Sequence, residues 1–324
     1  MNLAQLVRKA RYEVDAIRAG GATSGLWQDE EVNDAVNTAV DAAYTLLRLA
    51  DSEVVTKSVR STDSAVDLIS ESYNPTSLAI TSGTSDYTLP PDLVSLVTLI
   101  PITSGYTDIR FAPARATQRS FQDLRSWLNT DTVSSRNSLD TYSYLIFGAR
   151  TLRVVPTPRD TYDVELIYRF RPPRLQTYST GAIVLTQGST AASGAGGTTW
   201  VSSGLRTPIE VVRGTASDVL LNAYYPRVSS LTDDGNLVLS RAYPIVGTGT
   251  SGTSYLLSMV PQLPEEHHAW LASMTAALML RKVNLELSNA SRMALEKQFT
   301  EGVQTEFTTR MAQESVPAEP YELP

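Results

Sequence analysis

With 324 residues, of which 42% are hydrophobic and 19% charged, the chain has the composition of a globular protein of one large domain or two ordinary ones. It contains no cysteine, which excludes disulfides, thiolate metal sites and cysteine nucleophiles. Its formal charge of −7 argues against a general nucleic-acid binder, which would carry a basic face.

Residues 2–19 predict a first amphipathic helix. Leu3, Leu6, Val7, Ala10, Val14 and Ile17 recur on one face, and Gly20-Gly21 stops it. This start is not signal-like and no later run suits a bilayer, so a soluble product made in the cytoplasm, without membrane contact, is expected. A second helix follows over 26–50, where Val32, Ala35, Val36, Ala39, Val40, Ala43, Leu46, Leu47 and Ala50 keep helical spacing. Asp29, Glu30 and Glu31 crowd its first turn, facing the positive end of the helix dipole. Gln28 stands where Ser or Thr would cap better.

From residue 53 the pattern turns to strands. Val54-Val55-Thr56 and Leu78-Ala79-Ile80-Thr81 are short candidates, with Asn74-Pro75 as a turn. Tyr87 to Leu93 forms an extended, proline-fixed lead-in, and the apolar run Val94 to Ile102 suits a buried strand. Residues 113–128 suggest a short helix carrying Phe121, Leu124, Trp127 and Leu128, and 129–140 a polar loop. Three strands follow: Tyr142 to Phe147, Thr151 to Val155 and Tyr162 to Phe170. The last alternates apolar with mostly charged residues, as in an antiparallel sheet with one wet face.

Residues 180–258 are poor in charge and rich in Gly, Ser and Thr. They read as short strands at 182–185, 199–201, 209–212, 224–231, 236–240 and 254–257, with Asp234-Gly235 as a hairpin turn. Such spacing predicts a small barrel or sandwich. The central helix then runs over 264–288. Pro264 suits its first turn, and from Ala269 to Leu280 only Ser273 and Thr275 are polar, so nearly its whole circumference needs cover. The chain loosens near 284–289, and a last helix is expected over 291–313, with Leu295, Phe299, Val303, Phe307 and Met311 every fourth residue. The proline-stiffened end, 314–324, is expected to be extended.

This layout resembles the head-to-tail adaptor (connector) proteins of tailed bacteriophages. Four stretches carry the resemblance: Leu26 to Glu31, which opens a long acidic-capped helix; Tyr87-Thr88-Leu89-Pro90-Pro91-Asp92-Leu93; Leu152 to Pro158 followed by Tyr162 to Leu175; and Leu263-Pro264-Glu265-Glu266-His267-His268. Residues 181–190, 197–200 and 228–243 are similar to a small β-module found repeatedly in phage virion proteins. The resemblance implies a homo-oligomeric ring of about twelve copies between portal and tail. It also implies a C-terminal extension that docks on the portal, for which Val316, Pro317, Pro320, Tyr321 and Leu323 are the candidates. A stiff tail loses little entropy on docking, and Tyr321 and Leu323 suit pockets.

Other motifs carry less. Gly247-Thr248-Gly249-Thr250-Ser251-Gly252 matches a dinucleotide-binding glycine pattern, but its all-β surroundings favour a loop. The two histidines, His267 and His268, are adjacent and point about 100° apart on a helix, so they cannot share a metal. Asp233-Asp234 lacks the closing glutamate of a calcium loop and reads as a turn. Arg169, Arg171 and Arg174 cluster, but Asp163 and Glu165 share their strand, so a solvated face outweighs DNA contact. No catalytic pair and no cofactor or metal site is found, and the chain is not read as an enzyme.

The expected fold is α+β: a helical bundle formed by both chain ends, an antiparallel sheet, and an inserted small all-β barrel or sandwich. The division expected is a discontinuous adaptor body at 1–175 and 259–313, an inserted β-module at 176–258, and a docking arm at 314–324. Helical core and ring packing fall to Trp27, Val36, Val40, Leu47, Trp270, Leu271, Met274 and Leu278. The expected role is a structural virion protein of the neck, joining the portal to a tail or nozzle protein and lining the passage of double-stranded DNA without reading its sequence. The alternative is a tail protein whose β-module binds carbohydrate or a receptor through an open platform of Trp200, Tyr224, Tyr225 and Tyr243.

Overall fold

The computed structural model describes residues 1–17, 27–50, 52–64, 66–68, 71–113, 141–148, 150–155, 157–213, 226–243 and 255–314. Among these the fold is mixed α+β, with four α-helices and several antiparallel sheets. Two units divide the chain: Met1–Val54 together with Arg174–Pro324, and Val55–Pro173. The helix expected at 113–128 and the loop at 129–140 lie almost wholly outside the described residues.

The first unit opens with α1 (Leu3–Ile17) and α2 (Asp29–Leu49). Asn2 and Gln5 cap α1 reciprocally, each side-chain oxygen accepting the other's backbone N–H at 3.0 Å. At α2 the Glu31 carboxylate accepts the Gln28 N–H at 3.0 Å, so the weak residue at the cap position is compensated from the first turn.

The second unit holds β1 (Thr56–Arg60), β2 (Val66–Leu68), β3 (Glu71–Tyr73), β4 (Asp86–Thr88), β5 (Leu93–Pro101), β6 (Arg110–Pro113), β7 (Thr141–Phe147), β8 (Thr151–Val155) and β9 (Val164–Phe170). They form a three-stranded sheet in the order β1-β9-β5, a β2-β3 hairpin, and a sheet in the order β4-β8-β7-β6. The β6–β7 pair is parallel. In β9, Val164, Leu166, Tyr168 and Phe170 are buried and the residues between them half-buried, as the alternation predicts. Residues 78–81, expected as a strand, instead end a 3₁₀ turn (Pro75–Leu78) and contribute one bridge, Ile80 to Tyr162. Asn74 explains the difference, because its side chain accepts the Thr76 N–H and Pro75 cannot donate to a ladder.

Strand β5 also departs from expectation. It is not a uniformly buried strand: Val94, Val97 and Ile100 are 44%, 49% and 41% exposed. Its register against β9 slips between Leu93 and Ser95 and again between Leu96 and Thr98. Each bulge adds one residue and re-aims the chain. Consequently Leu93, Leu96 and Leu99, three apart, pair with Phe170, Tyr168 and Leu166 on the covered face.

The chain re-enters the first unit with β10 (Thr177–Tyr178), β11 (Ala182–Leu185), β12 (Ala191–Ala195), β13 (Ile209–Arg213), β14 (Arg227–Asp233), β15 (Asn236–Leu239) and β16 (Tyr255–Met259). These make an antiparallel sheet in the order β10-β16-β13-β14-β15-β12-β11. The β14–β15 hairpin turns at Asp234-Gly235 as expected, with Asp233 Oδ1 accepting the Gly235 N–H at 2.7 Å. Residues 199–201 are a turn rather than a strand, tied by Ser203 N–H to Thr199 O at 2.8 Å. Strand β12 was not anticipated, since Ala-Ala-Ser-Gly-Ala carries no strand propensity. Its Gly194 is required by packing: a Cβ there would lie 2.4 Å from Thr198 Oγ1.

After a 3₁₀ turn (Glu265–His267) comes α3 (His268–Leu280), which packs on both α1 and α2. Helix α4 (Leu285–Glu314) packs on α3 and begins six residues earlier than expected. Asn284 Oδ1 accepts the Leu287 N–H at 3.0 Å, and the Ser288 hydroxyl donates to Ala277 O at 2.7 Å. These polar residues, which look like helix breakers in the sequence, are its cap and its tie to α3.

Candidate assembly surfaces

The residues expected to pack the helices are found in the first unit, mostly deep within it. Ala10, Val14, Trp27, Val32, Ala276, Met279 and Leu280 form one buried cluster drawn from α1, the start of α2 and the end of α3. The Trp27 indole N–H reaches across it to Met279 O at 3.2 Å. Val36, Val40, Leu47, Leu271 and Met274 are also buried. The Tyr44 hydroxyl, raised above its ordinary pKa by burial, donates to Gln262 O at 2.7 Å. Trp270 and Leu278 are only half-buried. Trp270 donates to Leu295 O at 2.9 Å and lies against Phe299, ring centres 4.4 Å apart.

A polar network joins these helices to the seven-stranded sheet, and sequence reasoning did not find it. Asn2 Nδ2 donates to Glu210 Oε2 at 2.8 Å, and the Ala4 N–H to Ser258 Oγ at 3.1 Å. Arg227 bridges Glu210 at 3.3 Å and Glu265 at 2.8 Å. Hydrogen bonding to Arg227 holds the Glu265 carboxyl below its usual range. The buried His268 accepts from the Met1 amine at Nδ1, 2.5 Å away, and donates from Nε2 to Leu263 O at 3.1 Å. That arrangement needs a neutral ring, and burial lowers the pKa of both groups. His267 points elsewhere, against Phe299 at 5.0 Å. The contacts made by Met1, Asn2 and Ala4 each span more than 200 residues, so no local pattern announces them.

Outside the strands of that sheet, Trp200 and Tyr243 are fully buried, and Trp200 donates to the Tyr255 hydroxyl at 2.7 Å. Two of the four aromatics of the carbohydrate platform are therefore core residues. Tyr224 and Tyr225, the glycine run 247–252 and the docking candidates Val316, Pro317, Pro320, Tyr321 and Leu323 lie outside the described residues. Among the described residues no group of three His, Asp or Glu could hold a metal ion. None of the described helices is long and apolar enough to cross a membrane.

In the second unit the motif Tyr87 to Leu93 acquires a physical role. The Tyr87 hydroxyl donates to Thr84 O at 2.6 Å, and the Leu89 N–H to Arg150 O at 2.8 Å. Asp92 has a fully buried side chain that accepts the Tyr168 hydroxyl at 2.8 Å and pairs with Lys57 Nζ at 3.1 Å. Lys57 also sits 4.0 Å over the Phe170 ring. Asp92 thus pins β1 and β9 to the start of β5. Of the expected arginine cluster, Arg174 is paired with Asp34 in the first unit, while Arg169 and Arg171 belong to the second. Beside Asp92, Val94, Val97 and Ile100 form an apolar ridge on the edge strand of the three-stranded sheet. The repeat Leu-Val-Ser, Leu-Val-Thr, Leu-Ile-Pro across β5 is the sequence signal that would have revealed it.

The sequence model of the SU10 adaptor protein family matches residues 1–193, well over half of the chain. The chain belongs to that family. It is accordingly a phage head-to-tail adaptor, a structural component of the virion that contacts other phage structural proteins. The match spans α1, α2, the whole second unit and the seven-stranded sheet as far as Ser193 in β12; α3 and α4 lie beyond it. Among curated proteins the chain has no match.

Proposed function

We propose that this adaptor assembles as a ring of about twelve copies between the portal and the next tail or nozzle component, with double-stranded DNA passing through it. The observation that carries the reading is the packing of α3 on α1 and α2 in a chain of the SU10 adaptor family. This packing supports reading both chain ends as one helical bundle that serves as the fixed hub of each subunit. The segment 176–258 is taken as an inserted module facing a neighbouring virion protein, and 314–324 as an arm that seats Tyr321 and Leu323 in the portal. Net acidity favours DNA passage over sticking, because like charges repel.

Mass measurement and negative-stain imaging of the purified protein, alone and with the portal protein, test this directly. A closed ring in either condition is expected, and removal of residues 314–324 should abolish portal binding without unfolding the chain. A protein that stays monomeric in both conditions refutes the ring. A strongly positive lumen in the assembled ring would overturn the proposed manner of DNA passage.

A further inference from the structure

We infer that the ridge Val94–Val97–Ile100 is the surface through which the second unit contacts a second copy of the chain. The inference rests on the ring reading and adds to it the place where neighbours touch. In β5 two bulges, at Val94 and Val97, set Leu93, Leu96 and Leu99 against β9 and leave those two valines exposed, while the regularly paired Ile100 is exposed opposite Glu165. An unbulged strand would alternate faces, and residues three apart would lie on opposite sides. Here the two bulges expose Val94 and Val97, and ordinary alternation after Leu99 exposes Ile100, so three apolar side chains lie along roughly 15–20 Å of this edge strand.

The nature of the occupant follows from the strand and from charge. β5 is an edge of its sheet, and two bulges spoil the even ladder that an added strand would need. The partner is therefore met side chain to side chain. Residues 55–173 contain 12 Lys or Arg and 12 Asp or Glu, so the formal charge of −7 is carried wholly by the other unit. Copies of one acidic chain approach each other at least Coulombic cost where that chain is neutral. An apolar ridge on the neutral unit meets both requirements for contact between identical copies.

The test is a Val94→Asp, Val97→Asp double variant of the full chain, with assembly followed by sedimentation and folding by circular dichroism. Self-association at least tenfold weaker than wild type, with unchanged secondary structure, is expected. If the variant misfolds, the absence of native cysteine supplies a second measurement. A Val97→Cys variant should react with a maleimide at least tenfold more slowly in the assembled state than when diluted to monomer. Wild-type assembly by the double variant, or equal labelling of Val97→Cys in both states, overturns the ridge and leaves the ring reading standing. A wild-type chain that is monomeric with and without the portal overturns both.

Discussion

Replacing Asp92 with Asn keeps the volume of the side chain and removes its charge, which isolates what the buried carboxylate does. The Tyr168 hydroxyl would still have an acceptor, but an uncharged one, at a loss of about 1 kcal/mol. Lys57 would face an amide and lose its counter-ion. Removing one partner of a fully buried pair costs about 3–5 kcal/mol, but the Lys57 side chain is 29% exposed and can turn its ammonium towards water. About 1–2 kcal/mol is then expected, for a total of about 2–3 kcal/mol. Because the chain has two units, a single unfolding midpoint is a poor observable, and hydrogen exchange at the β1 and β9 amides is the better one. Exchange through opening of the second unit should accelerate roughly 30- to 150-fold. A double-mutant cycle with Lys57→Met should give a coupling of at least about 1 kcal/mol. Unchanged exchange in Asp92→Asn, or strict additivity with Lys57→Met, would refute the proposed role of the pair.

The remaining predictions concern the first unit. Burial, and then the Met1 ammonium, hold His268 below its ordinary pKa of 6.5, so the unfolded chain takes up this proton first. The stability linked to His268 is full above about pH 6.5 and falls as pH drops towards the depressed folded value; melting temperatures between pH 5 and 8 should show the slope, and His268→Gln should flatten it. Burial likewise lowers the Met1 amine from its ordinary value of 8.0, and it acts in the same direction below that pH. Trp27→Ala should cost about 3–5 kcal/mol. Trp27→Phe should cost only about 1–2, since Met279 O keeps the Lys282 N–H as a partner; urea titration of the first unit by tryptophan fluorescence checks both. Gly194→Ala should destabilise the β-module by about 1–3 kcal/mol, and Thr198→Gly in the same chain should recover most of it by removing the obstructing side chain.

How much could be read in advance depended on the range of the cause. The helices at 3–17 and 29–49, the alternation in β9 and the Asp234-Gly235 hairpin were legible, because each is fixed by periodicity or turn chemistry within a few residues. The start of α4 was misplaced because Asn284 and Ser288 resemble helix breakers until Ala277 is known to lie opposite. β5 was misread for a different reason. A triplet repeat fits neither the period of a strand nor that of a helix, so the apolar run Val94 to Ile102 reads as a buried strand. The network of Asn2, Glu210, Arg227, Glu265 and His268 was illegible because charge and burial meet there only after the chain has folded.

The stretch Tyr87 to Leu93 explains what a family resemblance in this chain reports. Tyr87, Leu89 and Asp92 are each buried, and each fixes a neighbouring segment: the 81–84 turn, Arg150 and the β1–β9 pair. Side chains of this kind identify a scaffold, because altering any one leaves a buried polar group or a cavity. The residues immediately after them answer to other demands. Val94, Val97 and Ile100 leave solvent-facing apolar surface that the chain's own core does not need. Scaffold and partner surface therefore lie within one fourteen-residue span, Tyr87 to Ile100, but are held by different forces. Polar substitutions at Asp92 should act on folding and those at Val97 on association, and a variant in which either residue does the other's work would show that this separation is wrong.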